Sequence, residues 1–139
     1  MKVSEVMHRG VTCAEPDTPI REVAEMMRSA DIGAVPVRDH SGVIGMITDR
    51  DITTRGVADG RDLEEMTARE AMTPGVLCCA EDDDIDDAVE MMEREKVRRL
   101  PVVDAQNRPV GMVSLGDVSR RIDEDDSGEL LRAVSDHHA

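Results

Sequence analysis

Eight residues, GMITDRDI at Gly45–Ile52, return 66 residues later as GMVSLGDV at Gly111–Val118. Each copy is a glycine, two apolar residues, a hydroxyl residue, two variable positions, an acid and an apolar residue. The apolar pair suits the end of a buried strand, and a Ser or Thr three residues before an acid is the capping box that opens a helix. Thr48 and Ser114 are thus expected as N-caps, with Asp51 and Asp117 as third helical residues. The match extends outward: Met7 pairs with Met72, Gly10 with Gly75, Ile20 with Ile85, Met26-Met27 with Met91-Met92, and Pro36-Val37 with Pro101-Val102. The offset is 65 until one extra residue in the second hairpin makes it 66. A duplication of this extent means two copies of one supersecondary unit. A unit of about 60 residues is marginal alone, so the copies are expected to bury apolar faces together.

Taken in order, Val3, Val6 and Met7 fit one face of a short leading helix, and residues 10–13 form a strand or extended lead-in. Thr18 is predicted to cap a helix whose first residue is Pro19. Its apolar positions, Ile20, Val23, Ala24, Met27 and Ala30, have amphipathic spacing. Residues 33–37 read as a buried strand whose Pro36 argues for a sheet edge. A turn at 39–42, a strand at 43–47 and a helix from Thr48 to about Arg55 complete the copy. The second copy repeats this with a strand at 76–79, a helix at 85–95, strands at 100–103 and 110–113, and a helix at 114–122. The domain reading is 1–58 for the first repeat, 59–68 for a linker, 69–123 for the second repeat, and 124–139 for an acidic tail with a turn or two of helix around Leu130, Leu131 and Val134.

Charge and composition narrow the function classes. With 31 acids against 17 Lys and Arg, the net charge of −14 opposes nucleic acid and anionic membranes as partners. Aromatic residues number zero, so a bound base has to lie between aliphatic or Met side chains and backbone. Cys13, Cys78 and Cys79 show no metal-ligand spacing, and Cys13 and Cys78 are repeat equivalents in apolar runs. They read as buried thiols in a reduced cytoplasm, with no metal and no cofactor. No signal peptide or membrane-length apolar run is visible, and no nucleophile–base pair or P-loop marks an enzyme.

A β-α-β-β-α unit closing in G-h-h-[ST]-x-x-D-h resembles the CBS domain, and two in tandem resemble a Bateman module. The resemblance covers residues 3–122. It implies an α/β (α+β) fold in which two repeats pack about a pseudo-twofold axis and enclose two clefts that bind adenosine nucleotides. The closing-helix acid takes the ribose hydroxyls, a basic residue and the hydroxyl residue take phosphate, and apolar groups sandwich the base. Carried onto this sequence, the main cleft would comprise Asp117, Ser114, Arg99 and Val110, with Val11, Thr12, Ile32 and Gly33. The second would comprise Asp51, Thr48, Ile44 and Ala34, with Leu77, Val97 and Arg98.

Residue chemistry agrees with that transfer. A carboxylate accepts from both ribose hydroxyls, a helix N-terminus offers N–H groups to phosphate, and Arg99 supplies a charge-assisted contact. The clefts are unequal, because Ala34 stands where Arg99 stands. The plainer reading of both Thr48/Asp51 and Ser114/Asp117 is a capping box that binds nothing and stabilises by about 1 kcal/mol. The function expected is therefore a regulatory module sensing AMP, ATP or a related ligand, acting as a homodimer on a downstream protein the sequence does not name. Its competitor is an adaptor dimer with empty or vestigial clefts.

Overall fold

The computed structural model describes residues 1–75 and 77–124. The element order is β1 (His8–Arg9), α1 (Ile20–Ala30), β2 (Ala34–Asp39), β3 (Gly42–Thr48), α2 (Asp49–Asp51), α3 (Ala68–Ala71), β4 (Thr73–Pro74), β5 (Cys79–Ala80), α4 (Ile85–Glu95), β6 (Arg99–Val103), β7 (Pro109–Ser114) and α5 (Leu115–Glu124). A 3-10 turn at Val3–Glu5 precedes β1, and α2 widens into a π-helical segment over Ile52–Val57. Val76 and the expected tail helix lie outside the described residues.

The chain forms two compact units, and they do not coincide with the repeats. One combines Met1–Val11 with the chain from Cys78 onward; the other is Thr12–Leu77. Each repeat therefore gives its leading segment to the unit built on the other. In the first unit the sheet order is β1-β7-β6-β5, with β5 parallel to β6 and the other pairs antiparallel. In the second the order is β2-β3-β4, all antiparallel, and Ala14 bridges Val37 in parallel where β5 lies in its counterpart. Pro36 sits on β2, the outermost named strand of its sheet, and its carbonyl accepts from the Ala14 N–H at 2.9 Å.

The exchange of leading segments also explains how the long helices begin. The Ile20 N–H donates to the Met66 carbonyl at 2.9 Å, and the Ile85 N–H to the Met1 carbonyl at 2.9 Å. The Thr18 cap expected from the sequence is not formed. Pro19 holds the N-cap position, and the Thr18 hydroxyl accepts from the Glu15 N–H instead. Leu63, within the segment expected to be linker, accepts from the Arg21 N–H, and Met66 and Ala68 are fully buried. The core of the second unit joins Ile20, Val23 and Met27 of α1 to Val35, Val37, Ile47, Met66 and Met72. In the first unit Val3, Ile85, Met92, Leu100, Val113, Val118 and Ile122 are buried. Each such side chain stabilises by about 1.5–3 kcal/mol relative to exposure.

Candidate functional site

Both long helices end in the same way, and this places the strands that follow. Asp31 and Lys96 cap α1 and α4 in the left-handed conformation, with φ of 54° and 58°. The next N–H groups, of Ile32 and Val97, reach back to the Met27 and Met92 carbonyls at 3.0 and 2.9 Å. This Schellman-type ending turns the chain sharply into β2 and β6. At the start of each strand, Ala34 pairs with Thr48 and Arg99 with Ser114. The strand therefore sets residue 34 or 99 directly beside the helix cap.

Both caps form as the sequence predicts. Thr48 Oγ1 accepts from the Asp51 N–H at 3.1 Å and Asp51 Oδ2 accepts from the Thr48 N–H at 2.9 Å. Ser114 Oγ and Asp117 repeat the pair at 3.1 and 2.9 Å. The expectation that these helix ends offer wholly unpaired N–H groups is corrected. The first N–H of each helix is taken by the chain, Asp49 donating to the Gly33 carbonyl and Leu115 to the Arg98 carbonyl at 3.0 Å each. The second N–H separates the repeats. The Arg50 N–H donates to Asp49 Oδ1 at 2.9 Å, whereas Leu115 stands where Asp49 does and has no carboxylate to offer the Gly116 N–H.

Electrostatics separate the caps further. Around Asp51 the neighbours are Ala34, Gly33 and Asp49, whose carboxylate lies against Gly33; a Cβ built there would sit 3.2 Å from Asp49 Oδ2. Around Asp117 the matching positions hold the exposed Arg98 and Arg99. Asp117 is buried at 7% exposure, and its Oδ1 also accepts from Arg120 and lies 2.9 Å from His8 Nε2. Among the described residues Asp51 Oδ1 has no partner. One cap therefore carries unanswered negative charge and the other a cationic surround.

Of the sequence-predicted residues, Ser114, Asp117, Arg99, Val110 and Val11 belong to the first unit, together with Val97 and Arg98 of the second set. Thr48, Asp51, Ile44, Ala34 and Leu77 belong to the other unit, as do Thr12, Ile32 and Gly33 of the main set. Except for Ile32, at 36% exposure, the apolar members Val11, Ile44, Leu77, Val97 and Val110 are half-buried. Sequence reasoning missed Asp49, His8 and Arg120. Arg120 was within reach, because three residues on a helix place it beside Asp117. His8 was not, since only the pairing of β1 with β7, His8 opposite Met112, brings it to α5.

Two β-α-β-β-α repeats, each closed by a Ser/Thr–Asp capped helix, define a tandem-repeat module of the CBS type, and the chain matches the CBS domain family over residues 3–57 and 68–124. The chain belongs to that family. It is 34% identical to the CBS domain-containing protein YhcV of Bacillus subtilis (strain 168) over 134 residues, covering 96% of this chain and 94% of the relative. It is likewise 34% identical to hypoxic response protein 1 of Mycobacterium tuberculosis (strain H37Rv) over 131 residues, 94% of this chain and 91% of that one. Among solved structures, that of Hypoxic Response Protein I with two coordinated zinc ions superposes at a TM-score of 0.79, with 35% identity over 86% of this chain and 98% of that chain. The CBS domain pair of protein MJ0100, in complex with 5′-methylthioadenosine and S-adenosyl-L-methionine, gives 0.78 with 28% identity over 90% and 98%.

The zinc belongs to that relative. Here, among the described residues, no three His, Cys, Asp or Glu side chains are grouped to hold a metal ion. Cys13, Glu15, Asp39 and His40 do line one surface pocket of the second unit together with Arg38 and Pro16. Asp39, however, is engaged by the Ser41 N–H and hydroxyl, and burial pushes the Cys13 thiol up, away from the thiolate a metal needs. Among the described residues no helix is long and apolar enough to cross a membrane.

Proposed function

We propose that this protein is a regulatory module that binds an adenosine nucleotide at the Ser114–Asp117 cap and passes the occupancy to a partner protein. The observation that carries the reading is the register of Arg99 against Ser114, matched in the other repeat by Ala34 against Thr48. A guanidinium beside a helix N-terminus whose second N–H has no carboxylate before it suits a phosphate. At the Thr48–Asp51 cap, Asp49 occupies that N–H and adds a negative charge, which disfavours phosphate. The adenosine part of the proposal rests on family membership and on the ligands of the MJ0100 pair. A regulatory, non-catalytic role fits relatives that are stand-alone CBS proteins, and a cytoplasmic location is proposed along with it.

Titration calorimetry with AMP and adenosine tests the reading. Losing a charged hydrogen bond costs about 1.5–3 kcal/mol, so Arg99→Ala should weaken AMP about tenfold or more and adenosine hardly at all. Asp117→Ala should weaken both, and Asp51→Ala should leave the tight AMP site intact. Loss of AMP binding in Asp51→Ala but not in Asp117→Ala would invert the assignment. A second reading, an adaptor with vestigial sites, is favoured by one observation: both caps are complete without any ligand. Failure of the wild type to bind any nucleotide would decide for it.

A further inference from the structure

The Asp117 carboxylate is more heavily used than a ribose acceptor should be. A carboxylate offers about four acceptor positions. On Asp117, Oδ2 accepts from the Ser114 N–H at 2.9 Å, Oδ1 accepts from Arg120 Nη2, and His8 Nε2 sits against the same oxygen at 2.9 Å. A ribose brings two hydroxyl donors, and one of the three present donors has to leave before both can bind. Ser114 contributes a backbone N–H fixed by the helix cap, and Arg120 is one turn along the same helix as Asp117. His8 alone is held from another element, a two-residue strand, and its side chain is 72% exposed. Arg120 is nearly as exposed, at 66%, but its guanidinium holds the carboxylate through a charge-assisted hydrogen bond, so the imidazole is the group released at least cost.

We infer that His8 is a specificity-determining residue of the Asp117 site: it occupies an acceptor position that a ribose diol needs, and a nucleoside binds there only by displacing the imidazole. This rests on the nucleotide reading above and adds a residue to it. The charged groups facing the imidazole are Asp117 and, across the shared oxygen, Arg120 on α5. The other repeat lacks the device. Its positions matching His8 and Arg120 are Thr73 and Thr54, and the Thr54 hydroxyl donates to the Arg50 carbonyl at 2.9 Å. Displacing His8 costs AMP and adenosine alike, and only a ligand with a phosphate has a further contact at this cap to offset it.

Calorimetry on the full chain with AMP and 2′,3′-dideoxy-AMP tests this. One hydrogen bond is worth about 0.5–1.5 kcal/mol net, so His8→Ala should tighten AMP about three- to tenfold and leave dideoxy-AMP unchanged. His8→Gln, whose amide nitrogen replaces Nε2–H, should keep the wild-type affinity for both. A purely structural role for His8 would move both ligands together, and that result refutes the inference. Equal AMP affinity in wild type and His8→Ala refutes it while leaving the nucleotide reading standing. Absence of AMP binding in wild type and both variants refutes the two together, and AMP binding that appears only in His8→Ala supports both.

Discussion

The glycine that opens each GMxx motif is fixed by a crossing backbone, and replacing Gly111 tests that. Its conformation asks nothing special, since Gly111 is not among the glycines with positive φ, which are Gly10, Gly42, Gly60 and Gly75. Space is the reason. A Cβ on Gly111 would sit 2.3 Å from the His8 carbonyl oxygen, where ordinary contact begins at 3.4 Å, so β1 would have to retreat by 3.4 − 2.3 = 1.1 Å. That retreat breaks the pairing of His8 and Arg9 with Met112 and Gly111, and with it the 3.0 Å bond from the Gly10 N–H to the Val110 carbonyl. Overpacking costs about 1–3 kcal/mol and each lost hydrogen bond about 0.5–1.5, so Gly111→Ala should lose about 2–4 kcal/mol. For a chain of this size that lowers Tm by roughly 6–16 °C. Gly45→Ala should cost less. Its closest obstacle at 2.5 Å is the flexible Met72 Sδ, and the Thr73 carbonyl lies at 2.8 Å. Gly116→Ala, with nothing nearer than 3.6 Å, should be neutral or stabilise α5 by up to about 1 kcal/mol. Scanning calorimetry and urea melts of the three variants measure the ranking. A Gly111→Ala protein within about half a kcal/mol of wild type would refute the crossing-backbone argument.

Three further outcomes are expected. Burial pushes the thiols of Cys78 and Cys79 up to about 11 and about 12. The folded state thus favours the protonated thiol, and this stability, complete below the unfolded thiol pKa of about 8.5, is lost as pH rises toward those values. Urea midpoints should fall between about pH 8 and pH 11, less steeply in Cys79→Ala, and a flat profile refutes the burial argument. The net charge of −14 should make Tm rise from low to moderate NaCl, and a flat response would mean that the acids are individually compensated. Met26 and Met91 stay half-buried on α1 and α4, and light scattering is expected to give the mass of a homodimer; a monomer at micromolar concentration counts against it.

The alternation of apolar runs, the turn at 39–42 and both Ser/Thr–Asp caps were legible because they are local: each is decided by residues within one turn of helix or one hairpin. The repeat also made the family and the difference between Ala34 and Arg99 readable, since equivalence within a duplication needs no coordinates. Sequence reasoning failed where partners lie far apart along the chain. Thr18 reads as a cap, but the Ile20 N–H is taken by the Met66 carbonyl, and residues 59–68, which join the two repeats, also bury Met66 and Ala68. His8 carried no sign of its meeting with Asp117. The exchange of leading segments is the common cause. Local chemistry specifies a helix end or a strand, but which backbone lies across it is decided by tertiary pairing between segments that no short-range pattern connects.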